Sequence, residues 1–146
     1  MTARGACLRL HIPGVPVPQG SLTYMRGNYV QDDRLYAWRE KARLHALAHI
    51  NLLAQPWDTT GPFRIRVSFH FPRPESHYHH RKEGRAIKTT APPHHTTTPD
   101  LDKLIRAIGD AGKDILWKDD RVITSIIATK AWAVRDAGAD LTVIAL

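Results

Sequence analysis

The chain has 146 residues, 42% hydrophobic and 24% charged, with 21 Lys and Arg against 14 Asp and Glu and a formal net charge of +7. Its single cysteine, Cys7, excludes an internal disulfide and a thiolate zinc site, and no stretch approaches the ~20 consecutive apolar residues of a membrane-spanning helix. The length fits one domain, 1–146, with a core that needs no staples, and the basic excess fits a phosphate-bearing partner, although solubility or an acidic protein partner would also account for it.

The first residues lack the continuous apolar core of a signal peptide, so a cytoplasmic protein is expected. Leu8, Leu10 and Ile12 alternate with Arg9 and His11, which predicts a strand that Pro13, Gly14, Pro16 and Pro18 end. Thr23-Tyr24-Met25 and Tyr29-Val30-Gln31 flank Arg26-Gly27-Asn28 as a hairpin would. A helix is predicted over about 34–53. Leu35, Trp38, Ala42, Ala46, Ile50 and Leu53 recur at helical spacing, and Asp32 or Asp33 is placed to cap the start. Arg34, Arg39, Lys41, Arg43 and His45 lie on the other side, read first as a solvated face and second as a DNA-contacting one.

Residues 63–71 alternate most cleanly. Phe63, Ile65, Val67, Phe69 and Phe71 share one face of a strand that Pro72-Arg73-Pro74 stops. From there to about residue 98 the chain has little apolar content and no period, and reads as a long basic loop at about 73–98. His77, His79, His80, His94 and His95 fall in it. With no cysteines and no helical spacing they do not read as a zinc site. Arg73, Arg81, Lys82, Arg85 and Lys88 make the loop either a mobile basic segment or a flap over phosphates. Strands are predicted at 122–134 and 141–146. The fold class is α+β, a mixed β-sheet with two main helices.

The segment 99–120, PDLDKLIRAIGDAGKDILWKDD, carries the chemistry. Leu101, Leu104, Ile105, Ile108, Gly112 and Ile115 fall on one helical stripe, and Asp102, Arg106, Asp110 and Lys113 line the opposite side. Pro99 suits a first helical turn. With Asp100 just before the helix and Asp102 in its first turn, both carboxylates point to one side. Asp119 and Asp120 follow the helix, and a strand running back beside it would bring them near the first pair. Clustered carboxylates in a basic chain usually face a cation. Mg²⁺, with Mn²⁺ as a substitute, takes one or two carboxylates plus water and phosphate oxygens, and Arg106 is placed to meet charge on a phosphate. The competing reading makes these aspartates helix caps and turn residues only.

Pro99-Asp100-Leu101-Asp102-Lys103-Leu104, followed by Trp117-Lys118-Asp119-Asp120, resembles the signature of RusA-type Holliday junction resolvases. The early Pro18-Gln19-Gly20-Ser21 resembles a segment near the start of many members. The resemblance runs from about Leu8 to the C-terminus. It implies a RusA-like homodimer that binds branched DNA and makes paired nicks with Mg²⁺. It places metal-binding aspartates at Asp100, Asp102 and Asp120; in addition, Asp119 is expected to assist from outside the metal's ligand shell and Arg106 to stabilise the phosphate. Two residues depart from the family pattern. Arg106 stands where the best-known members have lysine, which keeps charge but changes geometry, and Lys103 stands where asparagine is common. The expected function is a structure-selective endodeoxyribonuclease of recombination and repair. The alternatives are a non-catalytic basic DNA-binding module, or a nuclease acting on flaps, forks or duplex.

Overall fold

The computed structural model describes residues 4–20, 23–30 and 32–146. In chain order its elements are β1 (Cys7–Pro13), β2 (Thr23–Met25), β3 (Asn28–Val30), α1 (Asp33–Asn51), β4 (Phe63–Phe71), β5 (Tyr78–Arg81), β6 (Gly84–Ile87), α2 (Leu101–Gly112), β7 (Ile123–Trp132) and β8 (Gly138–Ala145). Ser21 of the early motif and Gln31 of the expected hairpin lie outside the described residues. Among the described residues no helix is long and apolar enough to cross a membrane.

The period-two stretches make one sheet, in the order β1-β8-β4-β7. β8 is antiparallel to β1 and β4, while β4 and β7 are parallel, so the sheet is mixed. A parallel pair needs a crossover. Here the crossover carries both the basic segment and α2. Alternation decides which face is buried. Leu8, Leu10 and Ile12 of β1, the five apolar residues of β4, and Ala139, Leu141, Val143 and Ala145 of β8 all enter the core. Leu35, Trp38, Ala42 and Ala46 of α1 join them, with Leu104, Ala107, Ile108 and Ala111 of α2. The opposite sheet face exposes Arg9, His11, Arg66 and Asp140. The result is the expected α+β class, two helices on one face of a mixed sheet.

α1 begins where the sequence predicts. Asp32 caps it by accepting from the Arg34 N–H at 2.9 Å. Its basic side is not uniformly solvated, however. Arg43 donates to the carbonyls of Ala111 and Lys113 at 3.2 and 3.1 Å, meeting the negative end of the α2 dipole.

Three boundaries differ from expectation. Pro99 stands outside the helix, because Asp100 occupies the cap position. α2 stops at Gly112, short of Ile115. Lys113 caps it, Asp114 takes a left-handed φ of 64°, and Ile115 is buried from the following turn. Within 73–98 a short 3-10 turn (Glu75–His77) leads into the β5–β6 hairpin. Its strands are almost wholly exposed, so they have no apolar alternation for the sequence to display.

Gly112 ends α2 for a packing reason. A Cβ there would run into the Trp117 ring, which is fully buried. Gly112→Ala should therefore destabilise the fold by about 1–3 kcal/mol through overpacking. A lower denaturation midpoint at unchanged m-value would show it; an unchanged midpoint would mean that the ring has room to move.

Candidate active site

The site is built on the exposed face of α2. Asp100 holds the N-cap position with extended backbone, and its carbonyl accepts the first helical bond from the Leu104 N–H at 3.2 Å. Its carboxylate makes no capping bond and instead pairs with Lys103 at 3.1 Å. Asp102 sits in the first turn, exposed. Arg106 follows one turn later on the same side, also exposed. Among the described residues neither side chain has a hydrogen-bond or ion-pair partner, and the half-buried Asp110 has none either.

The second acidic pair is delivered by a tryptophan. Trp117 is fully buried, its ring against Gly112 and its indole N–H on the Gly109 carbonyl at 3.2 Å. The chain beyond it is tied down where the Lys118 N–H meets the Thr59 carbonyl at 2.9 Å. The two following aspartates then separate in role. Asp119 caps the turn at 120–122, accepting from the Arg121 N–H at 3.1 Å. Asp120 has no such bond. Its carboxylate lies over Gly109, where a Cβ would stand 3.4 Å from Oδ2. Gly109 is seven residues beyond Asp102, about 10 Å along the same helix face. Asp102, Arg106 and Asp120 thus form one row, with Asp100 at its head. Asp120 reaches the third turn of α2 and not its N-terminus.

β7 does run back beside the helix, as expected. At the N-terminal end of α2 it contributes Lys130, whose ammonium donates to the Thr97 and Pro99 carbonyls at 2.7 and 2.8 Å. Sequence reasoning missed Lys130. Its signal was a lysine opposite Phe69, in register with the inward-facing Ala128 and Trp132 of β7.

Among the described residues the histidines of the loop do not gather into one group. Instead His95 is buried between Phe71 and Trp132, with centroid distances of 4.8 and 4.1 Å. The edge of His77 meets the same indole at 5.2 Å. Arg73 and the Trp132 indole both donate to the Pro92 carbonyl, at 2.8 and 3.1 Å. This aromatic stack roots the basic segment on the sheet just ahead of Asp100.

Among the described residues no three His, Cys, Asp or Glu side chains stand close enough to cage a metal. A hard divalent cation still fits the donors. They are all carboxylate oxygens, Asp102 and Asp120 have no partner among the described residues, and Mg²⁺ commonly keeps several waters and completes its shell with substrate phosphate.

Carboxylates without a partner among the described residues, either side of an exposed arginine on a basic α+β domain, are the kind of groups that phosphodiester cleavage with a divalent cation uses. The family model for Endodeoxyribonuclease RusA matches residues 13–144, nearly the whole chain. The chain belongs to the RusA family of endodeoxyribonucleases, the Holliday junction resolvases. Among curated proteins none matches it.

Burial holds His95 below the ordinary imidazole pKa, and the charge of Lys130 adds to the effect. Its folded pKa is thus lower than its unfolded one, so the fold favours the neutral ring. That contribution is complete above about pH 6.5 and falls away as the pH drops towards the folded value. His95→Phe keeps the ring stack and removes the titration. Between about pH 7.5 and about pH 5.5 its Tm should fall less than that of the wild type; equal falls would show that His95 does not carry this linkage.

Proposed function

We propose that the chain is a Mg²⁺-dependent endonuclease that resolves four-way DNA junctions in recombination and repair. It cuts as a homodimer in the cytoplasm, with Mn²⁺ able to replace Mg²⁺. The observation that carries this reading is the row on α2. Asp102 and Asp120 present unpaired carboxylates on one helix face with Arg106 between them, while Asp119 is spent on the turn.

In this reading Asp100 and Asp102 would hold the cation at the head of α2, Asp120, about 10 Å along the helix, would join it through bound water and phosphate, and Asp119 acts indirectly by fixing the turn that carries Asp120. When bound, the cation lowers the pKa of the attacking water and steadies the leaving oxygen. Arg106 donates from a planar fork to the non-bridging phosphate oxygens, bidentate where lysine would offer a point charge. Lys103 shields Asp100 from its neighbours in the absence of DNA. The β5–β6 hairpin is the flap. Arg85 is committed to Glu75 at 2.6 Å and stacked over Tyr78 at 4.3 Å, which leaves Arg81, Lys82 and Lys88 for phosphates.

Paired nicks need two acidic sites related by a two-fold axis, and one chain has a single row. Support for a dimer comes from β7. It is an edge strand with Ile126 and Ile127 about half exposed, at 47% and 49%. A long apolar edge is an invitation to pair with a second copy.

The test compares cleavage of a four-way junction, a fork and a duplex, with and without Mg²⁺. The junction should be cut preferentially and only with the metal. Asp102→Asn should lower cleavage by more than the roughly 10–100-fold that loss of an outer-shell partner costs, while junction binding persists. Cleavage of all three substrates alike, or an active Asp102→Asn, would overturn the reading.

A further inference from the structure

A groove of about 680 Å³ opens beside the head of α2. Apolar side chains of Val15, Pro16, Pro18, Phe71 and Pro99 line much of it, and Arg34, Asp100 and Lys103 border it as well. The Gln19 N–H bonds the Lys103 carbonyl at 3.0 Å, so the early proline-rich motif is pinned to the first turn of α2. The groove is therefore fixed in position relative to Asp100. Nothing in the chemistry so far uses it.

We propose that this groove holds one unpaired nucleotide of the strand being cut, next to the scissile phosphate. This rests on the reading of Asp100 as part of the active site. The volume lies within the roughly 300–1,000 Å³ typical of small-ligand sites, and so does the mixture of apolar walls with a few polar groups. A nucleobase matches those walls. It has two flat apolar faces for proline and phenyl surfaces, and a polar edge. The charges on the rim pair off, Arg34 with Asp32 at 2.9 Å and Lys103 with Asp100 at 3.1 Å, so the groove is electrically balanced and suits an uncharged base rather than a phosphate. Asp100 itself identifies the occupant, because only the strand presented to the acidic row passes this point. Base pairs at a branch point are the least costly to open.

The experiment places 2-aminopurine at successive positions around the branch point of a four-way junction. Fluorescence is followed on binding wild-type protein in EDTA, so no cutting is needed. One position next to the mapped cut should brighten, as a base leaving the stack does. Val15→Trp fills the groove from a side chain that is 51% exposed, so it should bind the junction and lose the brightening. No brightening at any position in the bound junction would overturn the proposal, as would a brightening that Val15→Trp leaves intact. Failure of the wild type to cut with Mg²⁺ would instead count against the acidic row, since the fluorescence is read without metal.

Discussion

The contact between Trp117 and Gly112 is the constraint from which the site follows. The ring fills the space that a side chain at 112 would occupy, and its N–H takes the carbonyl of Gly109 one turn earlier. The chain thereby folds back over the helix it has just left. The Trp57 indole reinforces this from the other side by donating to the Leu116 carbonyl at 2.8 Å, while its ring stacks on Phe63 at 5.7 Å. Core and site are thus one construction. The apolar stripe of α2 buries against the sheet, and its small residues at 109 and 112 admit the Trp-Lys-Asp-Asp turn on the outer flank.

The same geometry sorts the aspartates by what they are free to do. Asp32, Asp58 and Asp119 spend an oxygen on nearby backbone N–H groups, and Asp140 is bonded to His11 at 2.7 Å. Asp102 and Asp120 have no partner among the described residues, although the chain carries a net +7 and Arg106 lies close along the helix. Exposed carboxylates in water cost little to leave unpaired. Lys130 and His95 work at the other end of the row. The first holds two carbonyls just before Asp100, and the second locks the basic segment onto Phe71 and Trp132.

What was legible in the sequence was what repeats or what sits in a short motif. Period-two runs at Leu8–Ile12 and Phe63–Phe71 became buried strands, and the 3.6-residue stripe through Leu104 and Ile108 became the buried face of α2. Asp102 near the start of the helix followed from the stripe, whereas Asp100 as its cap did not follow from Pro99, which the sequence set inside the first turn. Features set by distant neighbours were not legible. The end of α2 depends on a ring five residues further on, and the partners of Arg43 are carbonyls 68 and 70 residues away. The β5–β6 hairpin has too little burial to leave a pattern. The groove exists only because the early proline-rich motif and α2 meet. The motif was visible, its neighbour was not.

The proposed function requires one cation site between the head of α2 and the turn at 119–121. Fe²⁺ in place of Mg²⁺, with ascorbate and peroxide, generates hydroxyl radicals that cut a polypeptide close to the bound metal. In the junction-bound protein the account predicts backbone cuts in two segments, around Asp100–Asp102 and around Asp119–Arg121, both suppressed by excess Mg²⁺. Cuts confined to the histidine-bearing segment, or none above background at those two places, would contradict it.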